Sequence, residues 1–270
     1  MDYIYAIIFG IVQGVTEFLP ISSSGHLVIL HKFIDLSLKN ELAFDVALHL
    51  AAVLAVVWFF REDILRLLKS WLKSFAGYRD EFSKLSWLII LATVPAALAG
   101  WLFGDIIESV FRSPIVVAVM LIVVGALFIV LEKVSRKTDE LKNLNWNKSL
   151  IIGLAQAIAL IPGTSRSGIT IIAGLFAGLK REAAVRFSML LSIPVILGAS
   201  ITKVPQIFKA DFGDKELALL AVAFFAAFIS GLVAIKYFLK FAKEHSLNVF
   251  AFYRFALAVL IIILLLFPPL

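Results

Sequence analysis

The sequence predicts an all-α polytopic membrane protein: six transmembrane helices plus two re-entrant helix-loop-helix hairpins, arranged as an inverted-topology repeat. Three observations predict it. Of 270 residues, 61% are hydrophobic and only 16% charged, against about 45–50% and about 25% in soluble domains. Six apolar stretches reach the roughly 20 residues that a bilayer demands of a helix. Two further apolar regions are each broken at mid-length by a cluster of Pro, Gly and Ser.

A soluble domain of this length has no core large enough to hide so much apolar surface. The net charge of +6 sits mostly in short loops. A nucleic-acid binder would gather it as a stripe on one face, so nucleic acid is excluded as a partner. No cysteine is present, which excludes disulfides, thiolate chemistry and iron–sulfur clusters. Asp2 stands where a secretion signal would carry basic residues, and Glu17 interrupts the first apolar run, so residue 1 is read as the start of the mature protein.

The chain begins with the first broken region, 3–34. It is interrupted by Glu17, Pro20, Ser22, Ser23, Ser24, Gly25 and His26. Spans follow at 42–60, 85–103 and 115–131. The second broken region, 150–179, is interrupted by Pro162, Gly163, Thr164, Ser165, Arg166, Ser167 and Gly168, and spans follow at 183–202, 217–236 and 249–267. Each half of a broken region has about 12–15 residues, too few to span. Broken helices at membrane depth persist only where protein or a wet cavity satisfies the freed backbone groups. Both regions are therefore read as re-entrant hairpins. Each is followed by three spans, an odd number, so the second half enters the membrane upside down. The result is a single membrane domain, 1–270, of two inverted repeats (about 1–133 and 147–270), a transporter-like plan with its site where the broken helices meet.

Loop charges agree with this topology. Loops 61–84, 133–148, 180–181 and 236–248 share one side and carry sixteen Lys and Arg. The opposite side has six: Lys32, Lys39, Arg112, Lys203, Lys209 and Lys215. The basic side is cytoplasmic by the positive-inside rule. Both termini then face outward, the first hairpin dips in from outside and the second from the cytoplasm.

Charges at membrane depth cost about 2.5–3.5 kcal/mol on insertion scales and so mark function. Glu17, Arg166 and Arg186 qualify. Gln13 and Glu17 are four residues apart and share one helix face. Pro20 stops that helix. Ser22, Ser23 and Ser24 then cap a second half-helix beginning near Gly25, whose free N–H groups make an anion site. His26 lies in its first turn. The second hairpin presents Ser165, Ser167 and Thr170 as hydroxyl donors, Gly163 and Gly168 for close backbone approach, and Arg166 as a planar fork suited to phosphate. A carboxylate beside phosphate calls for a hard divalent cation, Mg²⁺ or Ca²⁺, with Glu17 as its ligand. Metal and Arg together stabilise a transferring phosphoryl group. His26 is a nucleophile or general base, and Ser23 is the competing nucleophile. A substrate reached through an apolar shell is a lipid. A purely structural Glu–Arg pair is the competing account. Asp45 and His49, four apart on the first full span, either border the pocket from the outer side or form a packing pair; His31 and His245 are placed near the interfaces.

The segment Gln13-Gly14-Val15-Thr16-Glu17-Phe18-Leu19-Pro20-Ile21-Ser22-Ser23-Ser24-Gly25-His26 resembles the (E/Q)xxxE stretch with trailing SS-x-GH of undecaprenyl-diphosphatases, the bacitracin-resistance phosphatases. Residues 162–170 resemble their PGxSRSxxT motif. The resemblance extends through Arg181 to Ser188 and covers essentially the whole chain. It implies hydrolysis of undecaprenyl diphosphate to undecaprenyl phosphate and inorganic phosphate at the outer face of the bacterial inner membrane, recycling the lipid carrier for peptidoglycan. It implies a divalent cation, Glu17 as the essential acid, His26 and Ser23 as catalytic residues, and Arg166 on the pyrophosphate with Ser165 and Thr170 beside it. Gln13 stands where many members carry a second Glu, and so removes one anionic ligand. The expected partners are the bilayer, the polyprenyl diphosphate, bacitracin as competitor for that lipid, and a second copy of the chain in a homodimer. Two rivals remain: a lipid-phosphate transporter or flippase using the same broken-helix site, and the lipid phosphatases with PSGH and SR segments, which need a second His that this chain lacks between Arg166 and His245.

Overall fold

The computed structural model of the chain describes residues 1–34, 36, 38, 40–111, 113–209 and 212–267, and side chains at all of these but 105, 108, 109 and 202–209. Of the six basic residues on the less charged side, Lys39 and Arg112 lie outside the described residues, and so do the side chains of Lys203 and Lys209. Eleven α-helices and a short 3₁₀ turn are described. In order they are α1 (Asp2–Phe18), α2 (Ser23–Phe33), α3 (Glu41–Phe59), α4 (Arg61–Ser74), α5 (Glu81–Val110), α6 (Pro114–Val134), α7 (Trp146–Ile158), α8 (Arg166–Phe176), α9 (Arg181–Lys209), α10 (Asp214–Glu244) and α11 (Asn248–Leu266).

Six of these, α3, α5, α6, α9, α10 and α11, are long and apolar enough to cross a membrane, and each matches one of the six stretches read from sequence. The outward faces of the spans are apolar. Ile115, Val119, Val130, Phe225, Ile229 and Phe252 are all exposed, which only lipid makes tolerable. With the family evidence below, the chain is a multi-pass membrane protein.

The two interrupted regions are helix-loop-helix units, α1–α2 and α7–α8. Three of their four halves differ from the 12–15 residues expected. α1 has 17 residues, α7 has 13, and α2 and α8 have 11 each. α2 starts at Ser23 rather than near Gly25, because Ser22 is its cap. A second departure is α4. Its segment reads as a charged loop, yet Leu67 and Ser70 pack inward while Leu65, Leu68 and Leu72 form an exposed stripe beside Arg66, Lys69 and Lys73. Polar residues at helical spacing hid this amphipathic helix.

Packing pairs the two halves of the chain crosswise. α1 lies on α10 and α7 lies on α5, while α3 packs on α9 and α6 on α11. Close approach needs glycine. A Cβ on Gly14 would sit 2.2 Å from the Ala227 carbonyl oxygen and the Ser230 hydroxyl. On the basic side, the buried Glu132 at the end of α6 takes a two-pronged contact from Arg181 (2.7–3.0 Å), the Lys137 ammonium (2.9 Å) and the backbone N–H of Leu247 (3.1 Å). That carboxylate joins the ends of α6, α9 and α10–α11.

Gly14→Val is expected to drive α1 off α10 and lower stability by at least the about 1–3 kcal/mol of ordinary overpacking. A thermal melt in detergent that matches the wild type would contradict this close contact.

Candidate active site

Both helix breaks are built the same way. Ser22 caps α2 at φ 71° and Ser165 caps α8 at φ 68°. Non-glycine residues rarely adopt this left-handed region, and it stores strain. Each cap hydroxyl accepts from the N–H three residues on, Gly25 (3.4 Å) or Gly168 (3.1 Å), and each lies 3.1 Å from the second serine, Ser24 or Ser167. Thus Ser22, Ser24, Ser165, Ser167 and Gly168, read as substrate contacts, shape the two loops.

The loops are held against each other. The Ser167 hydroxyl donates to the Leu19 carbonyl at 3.0 Å. Arg254, fully buried on α11, donates to the carbonyls of Pro20 (3.1 Å), Gly163 (3.0 Å), Thr164 (3.0 Å), Met120 (3.2 Å) and Leu121 (3.2 Å). One guanidinium therefore satisfies both broken segments and α6 behind them. Gly163, at φ +88°, lets the second loop reach α6; a Cβ there would lie 2.5 Å from the Val117 carbonyl. Arg254 went unremarked in the sequence. Its signal was present, since a charge inside the apolar stretch 249–267 is as diagnostic as Glu17.

At the junction lies Glu17, 8% exposed, with one carboxylate oxygen directed to each hairpin. Oε1 accepts from Arg166 Nη2 at 3.2 Å. Oε2 accepts from the Ser23 hydroxyl at 2.9 Å and from Gln13 Nε2 at 3.0 Å. His49 Nδ1 completes a triangle, 2.8 Å from Gln13 Nε2 and 3.2 Å from Glu17 Oε2. So Gln13, Glu17, Ser23 and Arg166 are brought together as expected, and His49 joins them from α3. Its neighbour in the sequence argument, Asp45, turns away to His31 at 3.1 Å. Arg186 also departs from its expected place. It pairs with Asp63 at 2.6 Å beside the Phe60 ring, at the start of α4.

Thr170 is buried and serves Arg166 indirectly. Its hydroxyl donates to the Arg166 carbonyl (2.8 Å) and lies 2.7 Å from the Ser188 hydroxyl, while Arg166 Nη1 donates to the Ser188 carbonyl (3.2 Å). His26 is on the first hairpin but faces elsewhere, its Nδ1 2.7 Å from the Ser22 carbonyl and its Nε2 2.7 Å from the Tyr253 hydroxyl.

Two buried atoms in this cluster have no hydrogen-bond partner: the Gln13 amide oxygen and Arg166 Nε. One is an acceptor and the other a cationic donor. Buried polar groups are nearly always satisfied, so the pair matches a ligand with both a cation and anionic oxygens. Among the described residues no group of three or more His, Asp or Glu could hold a metal alone. A hard cation can instead be shared between one carboxylate and substrate phosphates. Glu17 and the Gln13 oxygen fit that donor set.

Residues 6–260 match the model of the family described as bacitracin resistance protein BacA. The chain belongs to the BacA family. Members similar to it include the undecaprenyl-diphosphatase of Rubrobacter xylanophilus, 45% identical over 98% of this chain and 99% of that one. That of Teredinibacter turnerae is 44% identical over 97% and 99%, and that of Methanobrevibacter smithii 41% identical over 97% of each. The likeness spans both hairpins and all six spans, so the site lies wholly within the family match.

Arg254→Ala removes the donor to the loop carbonyls of Pro20, Gly163 and Thr164 and to two more on α6 at once. It is expected to cost at least about 3–5 kcal/mol, the range for breaking a buried charged cluster, and to lower the thermal midpoint far more than Lys215→Ala does. Equal melting of the two variants would remove Arg254 from its role.

Proposed function

We propose that this chain hydrolyses undecaprenyl diphosphate to undecaprenyl phosphate and inorganic phosphate at the outer face of the cell membrane, recycling the lipid carrier for peptidoglycan and conferring bacitracin resistance. The observation that carries the reading is the buried contact between Glu17 and Arg166. It sets a carboxylate, a hydroxyl and a guanidinium with a spare N–H in one place. The names of the relatives support the same substrate. Bacitracin then competes for that lipid, and a homodimer is the proposed assembly.

The architecture belongs to the proposal as well: two re-entrant hairpins in an inverted repeat. The crosswise packing of α1 on α10 and α7 on α5, and the twin serine caps, support it. An outward-facing site is supported by the asymmetry of the hairpins. α8 is buried from Ser167 to Leu175, whereas α2 buries only Gly25 and Leu27 and leaves Val28 and Phe33 exposed.

In this mechanism Arg166 Nε and the N-terminus of α8 hold the terminal phosphate and take up its developing charge. Ser23 Oγ attacks the terminal phosphorus while Glu17 Oε2, already its hydrogen-bond acceptor, takes the hydroxyl proton. The bond from phosphorus to the bridging oxygen breaks, and undecaprenyl phosphate leaves. Water then attacks the phosphorus, His26 Nε2 accepting its proton; the bond from Ser23 Oγ to phosphorus breaks as Glu17 returns its proton to that oxygen, and inorganic phosphate leaves. Ser23 is favoured over His26 as nucleophile because its hydroxyl already donates to the Glu17 carboxylate that would take its proton, whereas His26 faces the Ser22 carbonyl and Tyr253. Glu17 and the Gln13 oxygen would hold Mg²⁺ or Ca²⁺, which supplies further neutralisation of the diphosphate.

Purified protein with Mg²⁺ is expected to release phosphate from a polyprenyl diphosphate, and chelation to abolish release until the cation is restored. Absence of release under both conditions rejects the enzyme; lipid movement across liposome bilayers in its place would favour a transporter. Glu17→Gln, which keeps the shape, and Arg166→Ala are expected to lose on the order of 10²–10⁴ in kcat, with thermal melts separating lost chemistry from lost folding. His26→Ala should accumulate label from substrate carrying ³²P in its terminal phosphate as phosphoserine on Ser23, and Ser23→Ala should trap none. Label recovered as phosphohistidine at position 26 would reverse the two roles.

A further inference from the structure

His26 is gripped at both nitrogens, and the chemistry of the two grips differs. The Ser22 carbonyl, 2.7 Å from Nδ1, can only accept a hydrogen bond. In the neutral ring Nδ1 must therefore carry the proton. That leaves Nε2 as a bare lone pair, and the group 2.7 Å from it is the Tyr253 hydroxyl, which must donate. The two rings lie nearly parallel, 9° apart with centroids separated by 5.6 Å, so the tyrosine ring and the imidazole hold a fixed mutual orientation.

Both grips are built into the fold rather than left to chance. The Ser22 carbonyl is aimed by the left-handed cap at the head of α2. Tyr253 stands next to Arg254 on α11, and the five carbonyl contacts of Arg254 fix that helix against both hairpin loops. Consecutive residues of α11 thus hold the loop backbone and the imidazole. Tyr253 is 44% exposed, so its side chain can rotate off Nε2 without repacking a core.

We propose that Tyr253 is a positioning residue for His26: with the tautomer protonated at Nδ1 set by the Ser22 carbonyl, it donates to Nε2, aims that nitrogen, and withdraws when substrate arrives to leave it bare. The proposal rests on the reading of His26 as a base, but its structural half stands apart from turnover. Tyr253 is invisible in the sequence, since a tyrosine in an outer turn of a lipid-facing helix has the form of an interfacial anchor.

The test uses full-length protein labelled with ¹⁵N-histidine in lipid bilayers, with the His26 signals assigned by their loss in His26→Gln. In the wild type, His26 is expected as a single neutral tautomer with a protonated Nδ1 and a hydrogen-bonded, unprotonated Nε2. Tyr253→Phe keeps the ring and its packing but removes the donor. It should move the Nε2 signal toward that of a free lone pair. It should also lower kcat by about tenfold or more, as loss of a hydrogen bond that orients a histidine does, with KM changed less than about threefold. Unchanged His26 nitrogen signals in Tyr253→Phe, or a wild-type kcat, would overturn the proposal. If the wild type itself releases no phosphate, the diphosphatase reading falls, while the nitrogen signals still decide whether Tyr253 donates to Nε2.

Discussion

A helix broken inside an apolar interior frees carbonyl oxygens that have no water to turn to, and this protein breaks two. The supply of donors to those oxygens is the constraint on which the rest depends. Arg254 meets much of it from a single buried guanidinium, which reaches Pro20 in the first loop and Gly163 and Thr164 in the second. An unpaired charge at that depth would be costly. It is tolerated because it makes five hydrogen bonds to carbonyls, three of them in the loops where the helices are interrupted. The two costs cancel in one another's company, and the loops are thereby fixed relative to each other.

Fixing the loops also fixes the surroundings of Glu17. Its two oxygens divide their contacts, Arg166 on one and Ser23 with Gln13 on the other. A buried ion pair of this kind is a poor source of stability, since desolvation offsets most of the attraction. Its value lies in placement: guanidinium and carboxylate come from helices in opposite halves of the chain and meet only if both breaks hold their shape. The strained caps at Ser22 and Ser165 serve the same end, because strain persists only where surroundings over-determine it.

Much of this was legible in the sequence, for a definite reason. Apolar runs of fixed length, prolines and serine clusters report on local constraints, and those located six spans, both breaks, and Gln13, Glu17, Ser23 and Arg166. What escaped depended on distant contacts. Nothing local says that His49 turns toward Glu17 while Asp45, one turn earlier, turns to His31. Nothing local separates Thr170, spent on Ser188, from a hydroxyl free for substrate. α4 was hidden by its own charges. Arg254 differs from these, because a charge within an apolar span is a signal readable without any fold.

The two hairpins share a frame but not a chemistry, and the difference explains why the assembly has one centre rather than two. Counting from the paired glutamines, Gln13 and Gln156, the position of Glu17 in the first hairpin is taken by Leu160 in the second, and that of Ser23 is taken by Arg166. Gln156 spends its amide on the Ala92 carbonyl of α5, whereas Gln13 spends its own on an acid and an imidazole. The second hairpin has thus given up the acid and hydroxyl and contributes a cation, packed so that α8 is almost wholly enclosed. The first keeps the acid and hydroxyl on a helix with an open flank. A phosphate held between them would meet charge stabilisation from the closed side and nucleophile from the open one, the polarity that transfer of a lipid-borne phosphoryl group requires.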